Sequence, residues 1–419
     1  MTSRGSHFVA ADRGFAKGGG ALARLFAGGF GRILDRIDIG LAEGRIELTL
    51  PDGGQRTLGG RGAGPVAMVR LHSWRALVRL AASGSVGWYE AWARGEWSSP
   101  DPVPLFDLFM RNAVGLGEAA RAKGPWRWLN RLAHAVRANS PRRARRNIAH
   151  HYDLGNDFYA AWLDAGMAYS SAVFADPAAT SEPLEAAQER KMRLLLDRLD
   201  LKPGQRLLEI GCGWGGLAEL AARDYGVSVT GLTLSVEQKA FADAHLAAAG
   251  LADRVEIVLA DYREVTGIYD AVVSVEMVEA VGQEYWPAYL TTIARVLNSD
   301  SKVSIQLISI KEELFEAYAA SADFIQAYVF PGGLLIGESR FARLAAEAGL
   351  EWTDRCNYGD HYAATLRLWR QRYDAAVAGG RLDGFPPEFH TLWRYYLMYC
   401  EGGFRGGGID VAQVTLIKR

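Results

Sequence analysis

A glycine-rich stretch near the middle of the chain, LLEIGCGWGGLAEL at residues 207–220, is the first place where the sequence indicates chemistry. A predicted strand ends at Glu209, and Gly211 and Gly213 follow before a helix begins. Glycines let the backbone turn tightly and approach a ligand closely, so the pattern is typical of a nucleotide-cofactor site. The stretch does not match GxxxxGK[ST], which argues against a phosphate cradle for ATP. An NAD site stays open, because Gly211, Gly213 and Gly216 fit the G-x-G-x-x-G spacing.

The ends of the next two predicted strands favour S-adenosylmethionine as the cofactor. The first ends in GLTLS, which supplies Thr233 and Ser235, and Gln238 follows one helical turn later. The second ends in Asp261, which could cap an adenine amine, and Tyr262, which could stack on a ring. The carboxyl ends of parallel strands meet at one ligand crevice. No basic residue is present at these strand ends to clamp a phosphate, and a methyl sulfonium needs no such clamp.

The second half of the chain alternates between predicted helices and strands. A helix that starts at Leu184 leads into the strand RLLEIG, and the strands VSVTGLTL, VEIVLAD and YDAVVSVEM follow. The helices GLAELAARD and SVEQKAFADAHLAAAG lie between the first three of these strands. Such alternation implies a parallel sheet with helices on both faces. The predicted fold class is therefore α/β.

The first half of the chain reads as mostly helical with a small β element. Apolar residues from Leu22 to Ile37 follow one helical face, and the arginines at positions 24, 32 and 36 lie off that face. This helix either packs on its own domain or is a basic amphipathic helix that rests on an anionic bilayer. The stretch GRIELTLPDGG then predicts a strand and a hairpin turn.

Three segments follow from these patterns. Residues 1–137 form the mostly helical N-terminal domain, and residues 148–419 form the catalytic domain. Residues 138–147 contain four arginines after a Ser-Pro break, which indicates either a solvated linker or a segment that holds phosphate.

Composition and charge exclude several classes of protein. The 419 residues carry a net charge of -1, which gives no reason to expect nucleic acid as a partner. The three cysteines, at positions 212, 356 and 400, form neither a disulfide framework nor a zinc ligand set. The adjacent His150 and His151 have no spaced partners, so we expect no metal. No signal peptide and no uncharged 18-residue window is visible, so we expect a cytoplasmic protein.

The chain resembles the cyclopropane-fatty-acid synthase family, which includes the mycolic acid cyclopropane synthases and methyltransferases. The resemblance extends from about residue 84 to residue 419 and is carried, in order, by HYDLGNDFY, MAYSSAVF, LEAAQERK, LEIGCGWGGLA, GLTLSVEQ, ADYRE, SVEMVEAVG, FIQAYVFPGG and YYLMYCEGGFRGGGIDVAQV. It implies a Rossmann-like class I methyltransferase domain with an acyl-chain pocket, preceded by the mostly helical N-terminal domain.

The resemblance also implies a reaction. A cis double bond of an unsaturated acyl chain in a phospholipid attacks the methyl group of S-adenosylmethionine, a bound bicarbonate removes a proton from the resulting cation, and a cyclopropane ring closes. The cation is sensitive to water, so the pocket must be dry and rich in aromatic residues. The implied location is peripheral, on the inner face of the membrane, and the N-terminal half could mediate a homodimer.

The resemblance assigns site residues position by position. The cofactor-binding positions are Tyr152, Tyr169, Ser170, Glu209, Gly211, Gly213, Thr233, Gln238, Asp261, Tyr262 and Arg263. The positions that hold the bicarbonate are Ser171, Glu279, Gln306, Ile308 and Tyr362. Cys400 matches a family cysteine sometimes considered catalytic, although a small buried hydrophobe is the better interpretation. We expect Glu279 to have a partner such as Tyr362 or a bound anion, and we give Glu276 less weight.

Three departures from the family pattern leave the product open. Many members have cysteine at position 171 and histidine at positions 280 and 306, where this chain has Ser171, Ala280 and Gln306. A glutamine amide can donate a hydrogen bond to bicarbonate but carries no titratable proton. A methyl- or methylene-branched acyl chain therefore competes with a ring as the product. Two other hypotheses are a small-molecule amine N-methyltransferase and a silent lipid-binding homologue.

Overall fold

A computed structural model of the chain describes residues 27–117, 154–179, 181–321 and 323–419. The chain divides into two compact units. The first comprises Met1–Arg137, Glu313–Pro331 and Asp383–Ile409, and the second comprises Ala138–Glu312, Gly332–Leu382 and Asp410–Arg419. Two segments of the predicted catalytic domain over residues 148–419, Glu313–Pro331 and Asp383–Ile409, group with the first unit in this division.

Helices and strands are numbered in chain order. The helices are α1 Ala27–Gly40, α2 Arg75–Ala93, α3 Val103–Arg111, α4 Ala113–Leu116, α5 Asn156–Ala160, α6 Leu184–Asp197, α7 Gly216–Asp224, α8 Val236–Ala248, α9 Trp286–Val296, α10 Glu312–Ala319, α11 Phe324–Tyr328, α12 Glu338–Glu347, α13 Gly359–Ala378 and α14 Pro387–Arg405. The strands are β1 Arg45–Thr49, β2 Gln55–Gly59, β3 Val66–Leu71, β4 Trp97–Ser98, β5 Arg206–Ile210, β6 Ser228–Thr233, β7 Val255–Leu259, β8 Tyr269–Val275, β9 Leu297–Ile310, β10 Leu350–Asn357 and β11 Ile409–Lys418.

The first unit contains a four-stranded sheet in the order β2-β1-β3-β4. Strands β1 and β2 are antiparallel, which confirms the predicted hairpin. Helix α1 buries Phe30, Leu34 and Ile37, so the described part of the predicted N-terminal helix packs on its own unit. The predicted helix before residue 27, the helices expected from residue 118 to 137, and the arginine-rich segment lie outside the described residues.

Close packing joins α14 to α3 within the first unit. A Cβ on Gly402 would lie 2.8 Å from the backbone nitrogen of Asp107, so only glycine lets the two helices approach this closely. Phe324, Tyr395 and Tyr399 form a ring cluster with centroids 4.8 to 6.1 Å apart. These contacts hold α11 and α14 in the first unit.

The second unit is built on a seven-stranded sheet in the order β10-β11-β9-β8-β5-β6-β7. The pairs β5–β6, β6–β7, β5–β8 and β8–β9 are parallel, whereas β10 and β11 are antiparallel. The central strands are apolar and fully buried, with Leu207, Leu208, Val272 and Val273 all 0% exposed. Each such aliphatic side chain contributes about 1.5 to 3 kcal/mol to folding. The α/β prediction is confirmed.

The strand order reverses at β5, which has β6 on one side and β8 on the other. Such a topological switch point opens a crevice beyond the carboxyl ends of the strands. The glycine-rich loop follows β5 at this point, and Glu276 follows β8. Among the described residues, no helix is long and apolar enough to cross a membrane.

Candidate active site

The glycine loop between β5 and α7 forms a cradle. Gly211 and Gly213 have φ angles of 85° and 53°, in the left-handed region where other residues are strained. The Gly211 N–H donates to the carbonyl of Leu232, 3.0 Å away, which ties the loop to β6. A Cβ on Gly211 would lie 2.9 Å from Cγ of Met277, whereas one on Gly213 would meet no atom within 4 Å. The loop therefore packs against the segment after β8 on one side and faces open space on the other.

Glu209 lies near the end of β5, two residues before the first glycine of the loop. The residue is 3% exposed, and burial raises the pKa of its carboxyl to about 8. Its Oε2 has no hydrogen-bond partner among the described residues. A buried carboxylate oxygen of this kind is stabilised by a ligand that brings a cation or a donor. The amino-acid half of S-adenosylmethionine carries an ammonium group, so the residues present fit that cofactor.

The end of β6 and the start of α8 form the polar edge expected from the sequence. The Thr233 hydroxyl donates to Oε1 of Gln238 at 2.8 Å, and both residues are 4% exposed. Ser235 caps α8, because its Oγ accepts a hydrogen bond from the Gln238 N–H at 3.2 Å. The cap fixes the position of Gln238 relative to Thr233.

The end of β7 carries an ion pair that includes Arg263, so the expectation of no basic residue at these strand ends is wrong. The guanidinium of Arg263 binds both carboxylate oxygens of Asp261, with Nε–Oδ1 at 2.8 Å and the second N–O distance at 2.6 Å. The same guanidinium lies 5.4 Å from the ring centre of Tyr262 and 5.0 Å from that of Tyr285. Asp261, Tyr262 and Arg263 thus form one rigid group, and Asp261 would meet an adenine amine with its carboxylate already charge-paired.

The Glu276 carboxylate accepts hydrogen bonds from three donors. Its Oε2 accepts from the hydroxyl of Tyr362 at 2.6 Å. Its Oε1 accepts from the Ser171 N–H and from the Gln306 side-chain amide, each at 2.8 Å. We expected Tyr362 or a bound anion to be the partner of Glu279, and the Tyr362 hydroxyl binds Glu276 instead.

The position of Glu276 is set by a backbone turn at the end of β8. Its φ angle is 46°, which is uncommon for a residue other than glycine and marks stored strain. Its N–H donates to the carbonyl of Gln306 at 2.8 Å, which continues the pairing of β8 with β9 for one more residue. The turn aims the carboxylate at donors from three elements: the loop before α6, strand β9 and helix α13.

Two residues that the sequence did not indicate complete this network. Gln413 on β11 donates to Oε1 of Gln306 at 3.1 Å and so orients its amide. Lys191 on α6 is 2% exposed, and its Nζ donates to Oγ of Ser170 at 2.7 Å. Burial lowers the pKa of Lys191, and the nearby Glu276 opposes that change. The signal available in the sequence was that Gln413 and Lys191 each occupy a position within a largely buried stretch, where an apolar residue is expected.

Glu279 makes a different contact. It lies in a 3-10 turn three residues after Glu276, and its Oε1 accepts a hydrogen bond from the N–H of Ile308. Its Oε2 has no hydrogen-bond partner among the described residues. Burial, reinforced by the charge of Glu276, raises the pKa of Glu279 to about 8. The expectation that Glu279 needs a partner is met by a backbone N–H.

Aromatic side chains line the neighbouring part of the second unit. Tyr169 lies 5.5 Å from Tyr159, 5.5 Å from Trp162 and 5.4 Å from Trp369, measured between ring centres. The Trp369 ring also contacts that of Tyr362 at 6.1 Å. Faces of such rings attract cations, which suits a sulfonium or a carbocation. The predicted cofactor residue Tyr152 lies outside the described residues.

Cys400 lies on α14 of the first unit, whereas the other described candidate residues belong to the second. Desolvation raises the pKa of the Cys400 thiol well above its usual range. A nucleophilic cysteine needs the opposite change, so this thiol stays protonated.

The seven-stranded sheet with a glycine loop at its switch point defines the chain as a class I S-adenosylmethionine-dependent methyltransferase. The family model described as "Mycolic acid cyclopropane synthetase" matches residues 139–414, and the chain belongs to that family. The resemblance drawn from the motifs is confirmed.

Relatives and solved structures agree with this assignment. The chain is 40% identical to tuberculostearic acid methyltransferase UfaA1 of Mycobacterium tuberculosis, over 81% of this chain and 80% of the relative. It is 33% identical to the cyclopropane-fatty-acyl-phospholipid synthase of Escherichia coli K12, over 81% of this chain and 85% of the relative. The structure is similar to that of the mycolic acid cyclopropane synthase CmaA1 in complex with SAH and CTAB, with a TM-score of 0.62 and 31% identity, covering 65% of this chain and 98% of that one.

Proposed function

We propose that this protein transfers a carbon from S-adenosylmethionine to the cis double bond of an unsaturated fatty acyl chain in a phospholipid, and that the product is methylene-branched. The observation that supports this most directly is the Glu276 carboxylate, held by three donors beside the glycine loop. An alkene that gains a methyl group becomes a cation and must then lose a proton from carbon. A fixed anion at the methyl-donor site suits that requirement.

Different residues of the chain bind the cofactor and exclude water from the reacting atoms. S-adenosylmethionine supplies a methyl group on a positively charged sulfur when it is bound. Gly211 and Gly213 leave room for it, and Glu209 offers a carboxylate oxygen to its ammonium group. The rings around Tyr169 and Trp369 exclude water from the reacting atoms and favour positive charge.

Two features support a branched product. The relative with 40% identity is named for tuberculostearic acid, a methyl-branched fatty acid. This chain also has Gln306 at a position where many cyclopropane-forming members have histidine, and an amide cannot relay a proton. A branched chain forms when a hydride moves from the methyl-bearing carbon to the neighbouring cationic carbon. A proton is then lost from the added carbon, which leaves a C=CH2 double bond as the branch.

A cyclopropane ring is the second candidate product. The family description and the 33% identity to the Escherichia coli enzyme favour it. In both cases the substrate lies in a bilayer, so we propose that the protein works peripherally at the inner membrane surface. We also propose that the protein forms a homodimer.

The test is to incubate purified protein with S-adenosylmethionine and vesicles of a phospholipid that carries cis-monounsaturated chains. We expect fatty acids heavier by one CH2, detected by mass spectrometry after release from the lipid. The two products have equal mass, so proton NMR must separate them: a methylene branch gives olefinic CH2 signals and a ring gives strongly upfield ones.

Other outcomes would replace the proposal. Methylation of soluble amines without any change in the vesicles would select an amine N-methyltransferase. Binding of S-adenosylmethionine without turnover on any unsaturated phospholipid would select a silent lipid-binding homologue.

A further inference from the structure

We propose that the carboxylate of Glu276 is itself the proton acceptor of the reaction and replaces a bound bicarbonate. This inference rests on the proposed transfer to an acyl double bond. It concerns one step only: the removal of a proton from the carbon that has just been added.

The donors expected to hold bicarbonate are engaged by carboxylates of the protein. The Ser171 N–H and the Tyr362 hydroxyl bind Glu276. The Gln306 amide group donates one hydrogen bond to Glu276 at 2.8 Å and another to the carbonyl of Ser171 at 3.2 Å. The Ile308 N–H binds Glu279. An external anion would have to displace Glu276 from three hydrogen bonds, and hydrogen bonds to a charged group are the strong ones.

Glu276 also lies beside the methyl-donor loop. Its neighbour Met277 is the residue that a Cβ on Gly211 would strike at 2.9 Å. The strained φ angle of 46° holds the carboxylate at this place, and strain of this kind persists where the surroundings over-determine it.

The charges around Glu276 suit a base that must be ionised and yet accept a proton. Burial raises the pKa of its carboxyl, while Tyr362, Ser171, Gln306 and the buried Lys191 lower it. Glu279, three residues along the chain, is the other carboxyl group near this site, and the charge of Glu276 helps to raise its pKa to about 8. These opposing effects keep the carboxylate from being an inert, strongly acidic anion.

The step balances without any further reagent. The π electrons of the alkene form a bond to the methyl carbon, and the S–CH3 bond breaks with its electron pair left on sulfur. After the hydride shift, the C–H pair of the added carbon becomes the new double bond, and the proton passes to Glu276. The carboxylic acid returns this proton to water once the product has left.

The experiment compares the full-length protein with two variants, Glu276→Gln and Glu276→Gly, in buffer purged of carbon dioxide and in buffer with added bicarbonate. Glycine accepts a φ angle of 46° without strain and would leave the three donors facing an empty, anion-sized space. Glu256→Gln, at an exposed position on β7, is the matched control. Circular dichroism and S-adenosylmethionine binding establish that each variant is folded.

We expect the unmodified protein to turn over equally fast with and without bicarbonate. Glu276→Gln should lose about 10²-fold to 10⁴-fold in kcat and bind the cofactor as before, because it keeps the shape but not the base. Glu276→Gly should be as slow in purged buffer and regain activity as bicarbonate is added.

Two results would overturn the inference: stimulation of the unmodified protein by bicarbonate, or full activity of folded Glu276→Gln. Absence of activity in the unmodified protein on every cis-unsaturated phospholipid would instead refute the proposed function. The two failures are therefore distinct.

Discussion

Replacing Tyr362 by phenylalanine removes one hydrogen bond from Glu276 and leaves the ring in place. The bond is short, 2.6 Å, and its acceptor is a partly buried carboxylate. Hydrogen bonds to charged groups are worth about 1.5 to 3 kcal/mol, and 1.36 kcal/mol corresponds to one pH unit. Because the hydroxyl stabilises the ionised form, its loss raises the pKa of Glu276. The base is active when ionised, so we expect the acid limb of the kcat profile to move about one to two pH units upward.

The assay is kcat against pH for Tyr362→Phe and for the unmodified protein, at saturating S-adenosylmethionine and with one vesicle preparation. Tyr225→Phe is the matched control, because the Tyr225 hydroxyl donates to Asp197 over the same 2.6 Å at an exposed site. The control should leave the profile where it is. An unmoved acid limb in a folded Tyr362→Phe enzyme would refute the assignment of Glu276 as the group that must be ionised.

Three further predictions concern the loop and the buried charges. Gly213→Ala and the remote Gly250→Ala both place a side chain at positive φ, so calorimetry should show each variant destabilised by about 1 to 2 kcal/mol. Only Gly213→Ala should also weaken S-adenosylmethionine binding, because Gly213 lies in the cofactor loop. Equal binding by both variants would contradict the assignment of this loop to the cofactor. Lys191→Met removes the buried cation that favours ionised Glu276, so the acid limb of kcat should again move upward, and a downward shift would contradict this. Burial raises the pKa of Glu279 to about 8, so the unfolded chain releases this proton near pH 4.5 and the folded chain only near pH 8. As the pH rises from 4.5 to 8, the free energy of unfolding should therefore fall by up to about 1.4 kcal/mol per pH unit. Urea titrations should show a smaller slope for Glu279→Gln.

Much of the second unit was predictable because its strands are short apolar runs between helices of clear period. The predicted helix GLAELAARD coincides with α7, and the strand RLLEIG differs from β5 by one residue. Strands β10 and β11 were not predicted. Strand β10 is mostly exposed and polar, so it lacks an apolar pattern. Strand β11 does alternate, with Ala412, Val414 and Leu416 between Gln413 and Thr415, so its signal was available in the sequence.

The choice between two carboxylates could not be made from the sequence. Glu276 and Glu279 lie three residues apart after the same strand, and the family pattern favours Glu279. What brings Glu276 to Tyr362 is a left-handed φ angle, and nothing in the residue type of a glutamate indicates that conformation. The strand-end rule that selected Asp261 applies equally to Glu276 and was the available signal.

Long-range packing explains why the two compact units differ from the predicted domain bounds. Helix α14 joins the first unit because Gly402 lets it pack closely on α3, almost 300 residues earlier in the chain. Local periodicity contains no information about such a contact. The four arginines near residue 145 and Tyr152 keep their predicted roles untested, since they lie outside the described residues.

Loss of a proton from the transferred carbon can be followed with S-adenosylmethionine that carries a fully deuterated methyl group and a phospholipid that has one cis-unsaturated acyl chain. Mass spectrometry of the released fatty acids counts the carbons and deuteriums transferred. We predict one added carbon that keeps two of its three deuteriums, because a base removes the third from that same carbon. A product that retains all three deuteriums would contradict the loss of a proton from the added carbon. An acyl chain without any label would contradict transfer to the acyl chain itself.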